Sequence, residues 1–306
     1  MSLLDVVIIH HNTLELTHRC LDSIYQTRWE GIASVTVVDN ASTDGSRKAL
    51  AARYPTTRFI RLEEPHGYAA ACNIGARSGS APFVLLSNSD VEYTHASFDK
   101  CVAQLQSDPR IAVCTPRQVY PDGRPQRSWG YFPGWQEIIA IACGIEMLHN
   151  RRGHSQHSVR AVPYCDGAAL FCRRDAYEAI GGMDERFAFF CEDVDLCYRF
   201  WIHGWHCHFV PTATIVHHRG ATRRSDVAKT LAYEAANFHA KLRFVSHHQQ
   251  RARESVRLGY MVVFRWRKLI LRLLRALGIL EDTDDARQAA IERGLFTTVA
   301  STNERT

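Results

Sequence analysis

Residues 34–45 read SVTVVDNASTDG, and the fold follows from how this stretch is built. Ser34–Val38 is rich in β-branched residues, as a strand in a sheet core is. Asp39 then enters a run of Asn, Ser, Asp and Gly, residue types that favour a turn. The same grammar repeats on both sides. Asp5–His11 is a short apolar run ending in polar residues, Thr17–Gln26 has helical spacing, and Gly45–Tyr54 leaves the turn as a helix. Thr57–Leu62 and Phe83–Leu86 read as further strands, the second ending at Asn88-Ser89-Asp90, with a helix of small residues, Ala69–Gly79, between them. Alternating strands and helices, with polar residues just after the strands, predict an α/β fold. Its sheet is Rossmann-like, mixed but mainly parallel, flanked by helices, and binds ligand at the strands' C-terminal edge.

Further along, Ile111–Pro116, Leu170–Arg173 and Cys207–His217 read as strands, and Glu192–Trp201 as a helix opened by acids. Tyr120–Trp135 is an irregular stretch of Pro, Gly and aromatics. From Lys229 onward the pattern is helical, with a polar tail after Ser301. The expected division is an α/β domain over residues 1–225, in halves of about 1–110 and 111–225, and a helical region over 226–306.

With 306 residues, 46% apolar and 23% charged, the chain has the composition of a globular protein able to bury a large core. That excludes a disordered tail, a collagen-like fibre and a polytopic membrane protein. The ten cysteines lie between Cys20 and Cys207 without a C-x-x-C pair, and the N-terminus MSLLDVVIIHHN has no basic region before its apolar run. Reduced, mostly buried thiols in a cytoplasmic protein are therefore expected. His203, His206, Cys207 and His208 in HGWHCHF are explained by alternation along a strand more simply than by a metal site.

The net charge of +5 is not spread evenly. Between Arg251 and Leu280 eight basic residues face one acid, Glu254, a local balance of +7 that leaves −2 for the rest. This argues against a nucleic-acid-coating surface and for one cationic patch. Val256–Leu280 reads as an amphipathic helix. Arg257, Arg265, Lys268, Arg272 and Arg275 fall within an arc of roughly 80° at helical spacing. Val262, Val263, Trp266, Leu269, Ile270, Leu273, Leu274 and Leu277 lie opposite. A basic arc, a broad apolar face and an embedded Trp266 suit a helix lying in an anionic lipid surface, with Arg265, Lys268, Arg272 and Arg275 as contacts. A helix packed on the catalytic core with solvated arginines is the alternative. The apolar run Leu258–Phe264 is far short of the ~20 residues of a spanning helix.

Several acidic motifs are unremarkable singly and informative together. VVIIHHN near the start, VVDNASTDGS, HGYAAACNIGARSG, FVLLSNSDV, AIGGMDERFAFFCEDVDLCYRFWIHGW and IVHHRGAT follow one another from about residue 5 to 222. In this order they resemble the inverting glycosyltransferases of family 2, and especially bacterial rhamnosyltransferase-like members. The resemblance implies a GT-A fold, a nucleotide-sugar half followed by an acceptor half, and a divalent cation, Mg²⁺ or Mn²⁺. It also implies a dTDP- or UDP-sugar donor, with L-rhamnose favoured, and a glycan or polyprenyl-diphosphate-linked acceptor. The location it suggests is the inner face of the cell membrane.

Residue by residue, Asp39 matches the family's carboxylate that binds base or ribose, suited to reading an imide N–H or a sugar hydroxyl. Asn40 and Asp44 are read as shaping its turn. Asp90 matches the last carboxylate of the family's DxD motif, which here is Asn88-Ser89-Asp90, so an amide replaces the first carboxylate. Mg²⁺ tolerates such a thin site best, since it uses one or two carboxylates plus phosphates. His217 matches the histidine of an H-x-x-G pattern and is the second metal candidate, with His218 the alternative if the register slips by one. Asp193 is the expected general base for inversion, Glu192 the second choice, and Glu192 and Asp195 are expected to raise its pKa by like-charge repulsion. Asn12, Asn73, Arg77, Asn88 and Asp166 are expected at the donor, and Asp195 and Trp129 at the acceptor. Pro65-His66-Gly67-Tyr68 departs from the family's Asn-x-Gly-Phe.

Two other classes compete. A sugar nucleotidyltransferase would want a Gly-rich, basic loop after the first strand, where this chain has His10-His11-Asn12-Thr13. A non-catalytic membrane-attached binding module fits the weakened Asn88 motif, but not the joint presence of Glu192, Asp193 and His217.

Overall fold

The computed structural model describes residues 2–143, 158–219 and 227–276. Two compact units are present: one comprises Met1–Tyr131 and Asn150–Arg219, the other Phe132–His149 and Gly220–Thr306. The stretch 132–149, read from the sequence as part of the acceptor half, thus groups with the C-terminal helices.

In the first unit the order is β1 (Leu4–His10), α1 (Leu14–Gln26), β2 (Ile32–Asn40), α2 (Ser46–Arg53), β3 (Arg58–Leu62), α3 (Tyr68–Ala76) and β4 (Phe83–Asn88). Then come β5 (Val91–Glu92), α4 (His95–Ser107), β6 (Ile111–Val119) and β7 (Trp129–Gly130). In the second unit α5 spans Trp135–Ala142. The first unit resumes with β8 (Arg160–Val162), β9 (Tyr164–Cys165), β10 (Ala169–Arg173), α6 (Arg174–Ala179), α7 (Glu192–Ile202) and β11 (His206–His217). The second unit is completed by α8 (Val227–His248) and α9 (Arg253–Ala276).

The main sheet has the order β3-β2-β1-β4-β10-β6-β11-β5, with β8 added against β11. Strands β3, β2, β1 and β4 are parallel, β6 and β11 are parallel to each other, and β10 runs antiparallel between β4 and β6. Because β10 is inverted, its start lies beside the end of β4, with Ala169 opposite Ser87. The C-terminal ends of β1, β2, β4, β6 and β11 and the beginning of β10 therefore share one edge. Short, nearly all-apolar strands such as β1 are buried on both faces, as a helix-covered parallel sheet requires. Val6, Ile8, Val37, Leu85, Phe98 and Phe171 are at its core. The small residues of α3 let it press onto the sheet: a Cβ on Gly75 would lie 2.2 Å from Val7 Cγ1. All ten cysteines are free, and only Cys143 among them is exposed.

The second unit is held by a buried carboxylate. Glu137 of α5 accepts from Lys241 Nζ of α8 at 2.5 Å and from the Tyr260 hydroxyl of α9. Phe132 stacks on Phe244, and Val256, Tyr260 and Val263 form the inward face of α9. Leu258, Val262, Trp266, Leu269 and Leu273 form its outward face, each more than half exposed. This corrects two assignments of the helical wheel. Val263 faces inward, away from Val262, and Arg257 is buried and paired with Glu254 at 3.0 Å, because the helix docks through that side. Arg265 is exposed. The side chains of Lys268, Arg272 and Arg275, and residues 277–280 of the expected helix, lie outside the described ones. No described helix is long and apolar enough to cross a membrane.

Candidate active site

Asp39 is completely buried at the end of β2, level with His10 of β1. Its Oδ1 accepts the Ser42 N–H at 3.0 Å, while among the described residues Oδ2 has no hydrogen-bond partner and lies 3.7 Å from Arg61 Nη1. A buried carboxylate oxygen without a donor is costly, and here it sits where the sheet edge opens. The turn beyond it is held by Asn12, which takes the left-handed conformation that Asn tolerates (φ 50°). Asn12 N–H donates to Ser42 Oγ at 3.0 Å and its Oδ1 accepts from Thr43 N–H at 2.9 Å. It holds the turn that follows Asp39.

At the end of β4, Asn88 lies level with Ile9 and donates its backbone N–H to Ala168 O at 3.0 Å. Asp90 follows, and its Oδ1 is 3.4 Å from His217 Nε2, at the end of β11. His217 is buried and its Nδ1 meets Gln118 Oε1 at 3.1 Å. His218 points elsewhere, to Glu92 Oε1 at 2.6 Å. Of the two adjacent histidines, His217 is the one brought to Asp90. Burial pushes the Asp90 carboxyl up, but His217 outweighs it and holds the group below its ordinary range.

Asp166 precedes β10 and is buried at the same edge, accepting from Gln118 Nε2 at 3.2 Å and pairing with Arg219 Nη2 at 3.5 Å. Burial alone would raise its pKa; Arg219, Arg127 and His217 bring it below normal. The next residue, Gly167, donates its N–H to Asp193 Oδ2 at 2.8 Å. A Cβ on Gly167 would lie 3.1 Å from that oxygen, so this contact demands glycine or a shift.

Asp193 and Glu192 open α7, after Phe190 and Cys191, both left-handed (φ 68° and 62°). Such a pair of non-glycine residues is strained and occurs where surrounding structure imposes it. Glu192 is buried, with Oε2 lacking any hydrogen-bond partner among the described residues. Burial, then the charge of Asp193, pushes Glu192 up to about 8. Burial, then Asp166, pushes Asp193 up to about 7. The repulsion expected from Asp195 is thus supplied by Asp166.

Four expected site residues are placed otherwise. Asp195 is fully buried and tied to Arg199 Nε at 2.7 Å, so it braces α7 rather than meeting an acceptor. Asn73 uses its whole amide internally: Nδ2 donates to Met183 O and Glu185 Oε1, both at 2.9 Å, and Oδ1 accepts from Tyr177 OH and Met183 N–H. It anchors α3 to the 181–185 turn. Arg77 caps the far end of α3, two residues before Gly79, which abuts Asp5 at the beginning of β1. It stands at the opposite sheet edge from Asp90. Trp129 is buried, with the Arg160 guanidinium 4.6 Å above its ring. Gln118 and Arg219 join this edge as well, without having been expected there. Both are polar residues at or just beyond strand ends, the signal that singled out Asp39 and Asp90.

A sheet with β10 inverted between two parallel sets, carrying carboxylates along one edge, defines a GT-A glycosyltransferase. The same architecture is found in a mannosyltransferase from Pyrobaculum calidifontis solved with GDP-Man and Mn²⁺ (TM-score 0.61, 17% identity, covering 98% of this chain and 86% of that one). The chain belongs to Glycosyl transferase family 2, whose profile it matches over residues 5–181. Within it the chain is rhamnosyltransferase-like. It is 31% identical, over 65% of its own length and 71% of the relative's, to the N-acetylglucosaminyl-diphospho-decaprenol L-rhamnosyltransferase of Mycobacterium tuberculosis. It is 26% identical to the O-antigen biosynthesis protein RfbC of Myxococcus xanthus, over 74% of this chain and 18% of that protein.

Proposed function

We propose that this chain inverts the anomeric centre of a nucleotide-sugar while transferring the sugar to a lipid-linked glycan acceptor in bacterial surface polysaccharide synthesis. The donor is dTDP-L-rhamnose, with UDP-sugars the alternative; the acceptor is polyprenyl-diphosphate-linked. The relative from M. tuberculosis supports L-rhamnose as the sugar and a polyprenyl-diphosphate-linked acceptor. The observation that carries the reading is the pair opening α7. Inversion in one displacement needs a base to take the acceptor hydroxyl's proton, most effective when its pKa lies near the working pH. Asp193, raised to about 7 and aimed by the Gly167 N–H, meets that need. Glu192 stands beside it as the second choice.

Asp39, with one oxygen lacking a hydrogen bond among the described residues, is the reader of base or ribose, and Asn12 holds the turn beside it. Asp90 and His217 Nε2 fit a divalent cation as an oxygen and a nitrogen ligand 3.4 Å apart. This donor pair suits Mn²⁺, and Mg²⁺ if phosphate and water complete the shell. Among the described residues no three His, Cys, Asp or Glu side chains gather to hold an ion unaided, so the donor's diphosphate must supply further oxygens. A cation there neutralises charge developing on the leaving diphosphate. Asn88 lines the same edge.

The outward face of α9 supports attachment to the inner face of the membrane. Trp266, Leu269, Leu273, Val262 and Leu258 would enter the headgroup layer, with Arg265, Lys268, Arg272 and Arg275 meeting anionic lipid. The decisive experiment is a nucleotide-release screen over a panel of NDP-sugars, with and without Mn²⁺ and Mg²⁺. Release from dTDP-rhamnose that requires both cation and acceptor supports the reading; equal release from all donors, or none, overturns it.

A further inference from the structure

Behind the Asp90–His217 pair, three side chains form a series in which each donor and acceptor can be deduced from the next. Gln118, fully buried near the end of β6, lies opposite Ile215 in the parallel ladder with β11. Side chains two residues apart on a strand share a face, so Gln118 and His217 meet. Gln118 Nε2 lies 3.2 Å from Asp166 Oδ1, and Gln118 Oε1 lies 3.1 Å from His217 Nδ1. Asp166 is paired with Arg219 and, as a carboxylate, only accepts. The Gln118 amide must therefore turn its NH₂ to Asp166 and its carbonyl oxygen to His217. A carbonyl also only accepts. Asp90, facing Nε2, is an acceptor too, but at 3.4 Å against 3.1 Å for Gln118 Oε1, so in the neutral ring the closer contact keeps the proton on Nδ1 and leaves Nε2 toward Asp90.

We propose that Gln118 is a positioning residue that relays the charge of Asp166 to the imidazole of His217, fixing its proton on Nδ1 and presenting Nε2 to a divalent cation shared with Asp90. The purpose rests on the cation reading above; the tautomer does not. Histidines that bind metals ordinarily donate their other N–H to a carbonyl or carboxylate, which fixes the ring and raises ligand basicity. Here a side-chain amide supplies the carbonyl and passes the demand to a carboxylate one step back. Gln118 is itself held, its backbone N–H donating to Ser128 Oγ at 2.9 Å. The strand end bearing His217 is held as well, by Gln126 Nε2 donating to His217 O at 2.5 Å.

The test uses the full chain labelled with ¹⁵N-histidine and free of metal. Long-range ¹H–¹⁵N spectra at a pH where the ring is neutral report which nitrogen bears the proton. Wild type is expected to hold it on Nδ1, and Gln118→Met, which keeps length but removes both polar groups, to lose that preference. Mn²⁺ affinity, measured by EPR with a saturating nucleoside diphosphate present, should fall roughly 10–100-fold in Gln118→Met. A wild-type ring with its proton on Nε2 overturns the proposal outright, and this needs no variant, so misfolding of Gln118→Met leaves it exposed to refutation. Undiminished Mn²⁺ affinity in Gln118→Met also overturns it, provided His217→Ala weakens binding. If His217→Ala binds Mn²⁺ as well as wild type, the cation reading fails and the purpose assigned to Gln118 fails with it, while the spectrum still decides the tautomer.

Discussion

Glu192→Gln should make the protein more stable, and increasingly so as pH rises. The carboxyl is buried with one oxygen lacking a hydrogen bond among the described residues, and its pKa is lifted from an ordinary 4.5 to about 8. A carboxyl raised on folding binds its proton more tightly in the native state. Its favourable contribution is present below the unfolded value and is lost as pH climbs through the folded one. Each pH unit between those limits shifts the balance by about 1.4 kcal/mol, so the full span corresponds to roughly 5 kcal/mol at most. Sharing of the proton with Asp193 and local relaxation reduce this, and we expect about 2–4 kcal/mol above pH 8. Gln is isosteric and uncharged, so it removes the dependence. Thermal melts of both proteins from pH 5 to 9 should show near-equal Tm at the acid end. At the alkaline end the variant should melt higher, by about 2–4 °C for each kcal/mol. A constant difference across the range, or a less stable variant at pH 8.5, would refute the claim that a protonated Glu192 is built into the fold.

Asp193→Asn should lower kcat by roughly 10²-fold or more while leaving donor affinity by calorimetry unchanged; near-normal turnover would pass the role to Glu192. In wild type, kcat/KM should fall about tenfold per pH unit below about 7, because Asp193 must be deprotonated to act. Asp166→Asn should move that limb to lower pH by removing a charge that raises Asp193, and a wild-type limb near pH 4 would contradict the reading. Asp90→Ala and His217→Ala should weaken Mn²⁺-dependent nucleotide binding, Asp90 more so; activity that survives EDTA would remove the cation from the account. Binding to anionic liposomes should weaken with salt and fall sharply when Arg265, Lys268, Arg272 and Arg275 become Gln, with soluble-acceptor activity retained. Unfolding of that quadruple variant would instead place those residues in the core.

What could be read in the sequence was local. Asp39, Asp90, Asp193 and His217 stand at strand or helix ends, and a short apolar run followed by an acid or imidazole is visible within a dozen residues. What could not be read depended on distant partners. Asn73 looked like a donor contact because its amide is spent on Met183 and Glu185, more than a hundred residues away. Arg77 was misplaced because a helix following a strand runs back to the opposite edge, which spacing alone does not register. Asp195 carried the right charge, but Arg199 takes it up. Gln118 carries the same local sign, a polar residue near a strand end, but its role depends on Asp166 and His217 across the sheet. On α9 the apolar periodicity was visible, but the docking of Tyr260 and Val263 decides which apolar side chains remain outside.

Asp166 and Gly167 are consecutive residues with opposite duties: one anchors Gln118, the other presses its N–H on Asp193. A single peptide unit therefore acts as a fixed calliper between the Asp90–His217 pair, reached through Gln118, and Asp193. In the reaction proposed above, the opening of that calliper would set the line of attack through one sugar ring, whatever its hydroxyl pattern. Redesign toward a different sugar should accordingly leave this dipeptide untouched and vary the walls around it. A change at Gly167, whose added Cβ would lie 3.1 Å from Asp193 Oδ2, would shift the span itself and should slow transfer for every donor alike.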